Sequence, residues 1–458
     1  MNKNILLVGL NARYTHTALG IYSIKAYLKS KNIDVCAVEY TINDNYEHTF
    51  YDIVQRKPDI IGFSTYIWNI ELVKRLSADL KTALPNIKIV YGGPEAGYSN
   101  QDYPYVDKII SGEGESAFYE YITNKKDTHE FISLPFAYTE PINQGKTVYY
   151  ESSRGCPYRC SYCISSLEKN LRFKDIETVK KDLMFFINNK VKKVKFIDRT
   201  FNIRKDADKI FEFIIENASQ TGFHFEVKPE LFTKKTLKIL SNAPKGLIQF
   251  EAGLQSLNEK TLKAINRVND TKIIFSNIKE ILSFKNIHIH VDLIAGLPYE
   301  DIKSFKKGFD KLYALGADML QLGFLKVLNG TQIKDECEKY EIKYSKYPPY
   351  QVISTKWLSV YDIITLKYVE EGLETLSNKG FYENSIKFLF ENNCVSPFEV
   401  FCRFGKILKD KPPLSHPDLF SLFYRFYEKE GYIKKEEFLE LLRKDFKIKN
   451  PNKPLFKL

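Results

Sequence analysis

Three of the chain's seven cysteines stand together as Cys156-x3-Cys160-x2-Cys163, in the stretch ESSRGCPYRCSYC at 151–163. Thiolates are soft ligands that suit zinc, copper(I) or iron–sulfur. A structural zinc site wants a fourth cysteine or histidine, and the nearest histidines, His129 and His224, are distant in sequence. A [4Fe–4S] cluster has four irons, so three cysteines leave one iron with an open coordination position. That open position is a place for chemistry.

The elements that must position this loop read as strand–helix alternation. Residues 1 to about 125 give five apolar runs, NILLVGL, DVCAVEY, DIIGFST, IKIVYGG and VDKIIS, with helical patterns between them. That order predicts an α/β, doubly wound parallel sheet, whose ligands sit beyond the carboxyl ends of the strands. Residues 131–147, with Pro135, Pro141, Asn143 and Gly145, read as a linker. Six further strands follow, TVYYESS, KVKFID, FHFEV, LIQFEAG, IHIHVDLIAG and MLQLGFL. Joined by right-handed crossovers they predict a partial (β/α)6 barrel, with the cysteines after its first strand. From YPPY onward the patterns YDIITLKYVEEGLETLSNKG, YENSIKFLFENN, HPDLFSLFYRFYEKEG and KKEEFLELLRKDF predict a helical appendage. The expected domains are 1–130, the barrel at 148–345 and helices at 346–458.

The 458 residues exceed one ordinary core. No run of eighteen apolar residues appears, so a membrane-spanning helix is not expected, and the first residues read as a strand rather than a signal peptide. A cytoplasmic protein is expected. The net charge of +11 permits an anionic partner, nucleic acid included, but the lysines are scattered over helix faces, which favours a solvated surface. The odd cysteine number argues against a disulfide framework, and Cys36, Cys337, Cys394 and Cys402 are expected to pack in the core.

With CPYRCSYC and Tyr162 before the third cysteine, the chain resembles the radical S-adenosylmethionine (SAM) superfamily. The resemblance implies that Cys156, Cys160 and Cys163 hold a [4Fe–4S] cluster whose open iron binds SAM. One electron then cleaves SAM to methionine and a 5′-deoxyadenosyl radical. It also implies a SAM site made by Tyr162, Asp198, Glu226, Gln255, Ser256, Ile294 and Gly296. FIDRTFN carries Asp198-Arg199-Thr200 where the family commonly has Gly-Gly-Glu, and Asp292 replaces a family glycine.

The first sheet, through GFSTYIWNI, YGGPEAGY and SGEGE, resembles the flavodoxin-like cobalamin-binding domains fused to such barrels. This implies a cobalamin tail in a crevice lined by Ser64, Thr65, Gly92 and Gly93. NARYTHTALG lacks the Asp-x-His-x-x-Gly that supplies an axial histidine, so cobalt ligation by His16 is not expected; His16 lines the pocket or caps the next helix. His48, His129 and His416 are expected at the surface, and His288 and His290 alternate on a strand.

The resemblance implies a cobalamin-dependent radical SAM enzyme that methylates an unactivated carbon of an unidentified, small-molecule substrate, fed electrons by a flavodoxin or ferredoxin. Rearrangement or cyclisation without methyl transfer also occurs in the class. A methylthiotransferase acting on RNA or protein would carry three further cysteines in its first domain, where this chain has Cys36 alone. A heme or cofactor carrier on the same scaffold is a third reading.

Overall fold

Ile5–Asn11 (β1) is an unbroken buried run, the pattern of a strand covered on both faces. It pairs in parallel with Cys36–Thr41 (β2) and Ile60–Ser64 (β3). Lys88–Gly92 (β4) and Lys108–Ile110 (β5) complete a sheet ordered β2-β1-β3-β4-β5. Alternate residues of β1 face two separate cores. Leu6, Val8 and Leu10 pack with Ile53, Val73, Leu76 and Leu80 of helices Tyr46–Gln55 and Ile70–Ala83. Ile5 and Leu7 pack with Ile21, Leu28 and Phe118 of helices Leu19–Ser30 and Gly114–Thr123. The strand order reverses between β1 and β3, and the crevice at such a switch point is where open α/β sheets bind ligands.

The computed structural model describes residues 3–138, 145–409 and 411–458. Pro141 and Asn143 of the expected linker lie outside the described residues. The described part of that segment is packed rather than bare: Phe131 is buried, and the Arg154 guanidinium lies 4.7 Å over its ring.

Thr147–Tyr150 (β6) opens the second sheet. Ser153–Arg154 (β7) and Arg172–Phe173 (β8) form a short antiparallel pair beside it. Lys193–Phe196 (β9), Gly222–Glu226 (β10), Ile248–Gln255 (β11), His288–Ala295 (β12) and Met319–Phe324 (β13) then follow. The six long strands lie in the order β13-β12-β11-β10-β9-β6, all parallel. Among the described residues β6 and β13 remain the edges, so this is an arc of a barrel. Its helix-covered face buries Val194, Phe225, Phe250 and Val291; the alternate residues line the lumen. The two sheets are stitched through backbone: Thr147 N–H donates to Thr15 O (2.6 Å) and Thr17 N–H to Thr147 O (3.2 Å).

The carboxy-terminal region is mainly helical, with two departures from expectation. Val352–Ser354 forms a short strand with Lys343–Tyr344. A helix at Pro397–Lys409, absent from the sequence reading, crosses Val360–Leu373 at the closest range. A Cβ on Gly372 would lie 2.0 Å from the Phe401 carbonyl oxygen, and one on Gly405 1.9 Å from that of Tyr368. No described helix is long and apolar enough to cross a membrane.

Several side chains depart from their expected places. Cys36 and Cys394 are exposed, not core residues, whereas Cys337 and Cys402 are half-buried. His129 is not a surface residue: its side chain is 7% exposed and its ring lies tilted against Tyr27, centroids 4.9 Å apart. His416 is half-buried among Phe381, Phe420 and Phe446. His48 is exposed, as expected.

Candidate active site

The cysteine loop hangs from the end of β6 and is shaped by contacts distant in sequence. Gly155 takes φ +95°, and a Cβ there would strike the Asn170 carbonyl oxygen at 2.4 Å; only glycine fits both demands. Cys163 N–H turns back to Cys160 O at 3.0 Å, Ser161 N–H reaches Ile265 O (3.0 Å), and Ile333 N–H reaches Ser161 O (2.9 Å). Cys156 and Cys160 are buried and Cys163 half-buried; burial pushes the Cys156 thiol up. Arg267 donates from Nη1 to Cys160 Sγ (3.6 Å) and to Tyr162 Oη (3.4 Å). Three soft thiols with a guanidinium beside them form a donor set that fits an anionic iron–sulfur cluster with one iron unligated by protein.

Asp198 does not present a free acceptor to this site. It is fully buried, and its carboxylate accepts from Ser152 N–H (3.0 Å), Ser152 Oγ (2.6 Å) and Ser153 Oγ (2.6 Å). It braces the strand that leads into the cysteine loop. Ser256 is likewise occupied: its hydroxyl donates to Glu300 Oε1 at 2.7 Å and accepts from Asn258 N–H at 2.9 Å. Burial raises Glu300 to about 7.

Gln255 has the opposite character. It sits at φ +71° where the β11–β12 register shifts, and its Oε1 is buried with no partner. A Cβ on Gly253 would lie 2.1 Å from Gln255 Nε2, so the glycine makes room for the amide. Glu226 ends β10 on the lumen side, and burial raises its carboxyl. Ile294 pairs in register with Gly323. Gly296 follows at φ +94°, with Val352 Cγ1 2.7 Å from where a Cβ would stand.

Deeper in the lumen Glu251 accepts from Lys195 (3.1 Å) and faces His224 Nε2 at 3.2 Å. The His224 contact, working against burial and aided by Lys195, holds Glu251 at about 2. Asp292, beside it, is half-buried with its Oδ1 buried and unpartnered, and desolvation together with Glu251 and Glu226 pushes its carboxyl far up. The sequence reading missed this network and Arg267. Its one signal was charged residues at alternate positions of otherwise apolar strands.

In the first sheet, Ser64, Gly92 and Gly93 line a cavity of about 390 Å³; Thr65 does not. Thr65 is wholly buried and donates from Oγ1 to Gly92 O (2.8 Å) while accepting from Ala96 N–H (3.1 Å). It closes the β3–β4 turn. Gly93, at φ +102°, would drive a Cβ to 2.6 Å from Thr65 O, whereas a Cβ on Gly92 would meet nothing within 4 Å. The floor of the crevice is thus bare backbone, which lets a large ligand lie close. His16 lies off the cavity, its Nδ1 2.6 Å from Tyr149 Oη.

The same cavity is walled on its other side by Arg154, Gly155, Ile164, Ser165 and Arg199 of the barrel. Arg154 spans the seam, 3.0 Å from Glu113, 3.0 Å from Glu115 and 2.7 Å from Glu151. Glu95, after β4, accepts from the Tyr350 hydroxyl and, at 3.4 Å, from Asn329.

Three family models match the chain in succession: B12 binding domain at 5–122, radical SAM superfamily at 150–312, and a protein of unknown function (DUF4080) at 338–457. Among curated proteins, the cobalamin-dependent radical SAM methyltransferase TokK of Streptomyces tokunonensis is 25% identical over 310 residues, covering 57% of this chain and 45% of its own. The ribosomal protein uS12 methylthiotransferase RimO of Dictyoglomus thermophilum is 26% identical over 271 residues, 54% of this chain and 60% of its own. The chain thus spans about half the length of these relatives. Among solved structures, the cobalamin-dependent SAM radical enzyme OxsB, with aqua-cobalamin and SAM bound, superposes with TM-score 0.66 at 13% identity, over 98% of this chain and 79% of that one. The SAM methyltransferase TsrM from Kitasatospora setae, with cobalamin and [4Fe–4S] cluster bound, gives 0.65 at 11%, over 98% and 100%. The chain thus carries a B12-binding domain, a radical SAM domain and a C-terminal domain of unknown function, and its relatives include cobalamin-dependent radical SAM methyltransferases.

Proposed function

We propose that the protein is a cobalamin-dependent radical SAM enzyme that methylates an unactivated carbon of a small molecule. One observation carries this reading: the crevice of the first sheet and the residues flanking the cysteines, Gly155, Ile164 and Ser165, line one cavity. The cluster with SAM supplies a hydrogen-abstracting radical and cobalamin supplies the methyl group. The named relatives TokK, OxsB and TsrM support the assignment.

Cys156, Cys160 and Cys163 hold the cluster. Tyr162, Glu226, Gln255, Ile294 and Gly296 face SAM, and Arg267 offers a cation where the SAM carboxylate approaches. Ser64, Gly92 and Gly93 receive the cobalamin tail, while Thr65 sets the turn that carries them. The lumen strands exclude water from the reacting carbon. The cysteines are all free, which suits a reducing cytoplasm, and the electron comes from a flavodoxin or ferredoxin. The likeness to RimO favours a methylthiotransferase less, because the first domain contributes Cys36 alone, exposed at the start of the edge strand β2.

Anaerobic reconstitution with iron, sulfide and hydroxocobalamin tests the assignment. Cobalamin that survives desalting, together with SAM-dependent release of 5′-deoxyadenosine, is expected. Cleavage without retained cobalamin would leave a radical SAM enzyme that does not transfer methyl.

A further inference from the structure

The arginines around the cysteine loop have acceptors, with one exception. Arg154 and Arg172 pair with Glu113, Arg204 with Asp206, and Arg267 with Gly253 O. Arg199 has none: among the described residues no hydrogen bond or ion pair reaches its guanidinium, which meets Glu226, Cys163, Glu151 and Tyr66 through space alone. Its neighbours Asp198 and Thr200 are buried, but Arg199 itself is exposed, and it lines the cavity between the two sheets.

A guanidinium that lines a cavity without a protein acceptor keeps its donors free for a ligand, and an oxyanion is the ligand that satisfies them. Arginine's planar fork suits a carboxylate or phosphate. The position narrows the source. Ser64, Tyr66, Gly92 and Gly93 face Arg199 across the cavity from the crevice side, and its charge reaches Cys163 on the cluster side. If methyl passes from one cofactor to a carbon activated by the other, the acceptor molecule lies between them. A separate cation, Arg267, already stands at Cys160 and Tyr162 for SAM.

We propose that Arg199 binds an anionic group of the substrate, so that this enzyme acts on a small carboxylate or phosphate compound. The inference rests on the active-site reading above and adds the substrate's charge class.

The test uses full-length reconstituted holoenzyme, wild type and Arg199→Gln, with a small-molecule cell extract split on an anion exchanger. Three readouts are taken: SAM affinity, 5′-deoxyadenosine formation with each fraction, and transfer of the CD3 group from labelled SAM. The retained, anionic fraction is expected to accelerate deoxyadenosine formation by wild type, and Arg199→Gln to lose about tenfold to a hundredfold of that acceleration. SAM affinity and cobalamin retention are expected to stay within about twofold, with Arg199→Lys intermediate. Acceleration by the flow-through alone, by neither fraction, or equally in both proteins overturns the proposal. A tenfold loss of SAM affinity in Arg199→Gln also overturns it and assigns the arginine to SAM's carboxylate. Acceleration by the anionic fraction without CD3 transfer would uphold Arg199 as the anion site and reject methyl transfer.

Discussion

Arg154, two residues before Cys156, places its Nη2 3.0 Å from Glu115 Oε1 in the B12-binding domain. Both side chains are largely buried, 16% and 5% exposed. Burial alone would raise the Glu115 carboxyl; Arg154 and Ser23 outweigh it and hold it at about 2. The strand entering the cysteine loop is thereby tied to the edge of the first sheet's crevice.

Removing one partner of a buried pair leaves the other charge uncompensated, at a cost of about 3 kcal/mol. Arg154→Met is expected to lower the urea midpoint of the apo-protein at pH 7 and to weaken cobalamin retention. The folded Glu115 pKa lies below the unfolded value of about 4.3. Its stabilisation is therefore complete above that pH and is lost as pH falls toward 2. The difference between variant and wild type should shrink at about pH 3.

Adjacent glycines separate packing from ligand access. Gly93→Ala meets both a positive φ and the Thr65 carbonyl, so the apo-protein should lose about 1–3 kcal/mol in thermal unfolding. Gly92→Val points into open cavity. Its melting temperature should match wild type while cobalamin retention after desalting falls.

Asp198→Ala strips partners from Ser152 and Ser153 in a wholly buried setting. The expected cost is about 1–3 kcal/mol, with a lower yield of assembled cluster. SAM affinity per assembled cluster should be unchanged. A variant that kept full stability but lost SAM binding would restore the residue as a ligand.

Gln255→Ala removes an amide whose Oε1 has no partner in the free protein. Apo stability should therefore hold, while SAM binding, followed by equilibrium dialysis, weakens about threefold to tenfold.

The strands were legible because their burial is local in sequence: NILLVGL and KVKFID carry the patterns of β1 and β9. The helix Pro397–Lys409 was not: it opens on a proline and carries Gly405, residue types that weaken a helical pattern. Proline is tolerated in a first turn, and Gly405 answers the Tyr368 carbonyl of a helix nearly forty positions away. The same non-local logic explains Asp198, Ser256 and Thr65. Each is a polar residue at a strand end, as a ligand would be, but Ser152, Glu300 and Gly92 had already claimed it. Conversely Arg267 and the Lys195–Glu251–His224 network became visible only when the arc brought their strands together.

The central claim is that the cysteine loop and the cobalamin crevice serve one cavity. Electron paramagnetic resonance of the holoenzyme, with its cluster reduced and its cobalamin in the cob(II) state, tests that directly. The account predicts magnetic coupling between the two centres, seen as splitting or enhanced relaxation of both signals and abolished by Cys160→Ala. Two uncoupled signals of full intensity would contradict it.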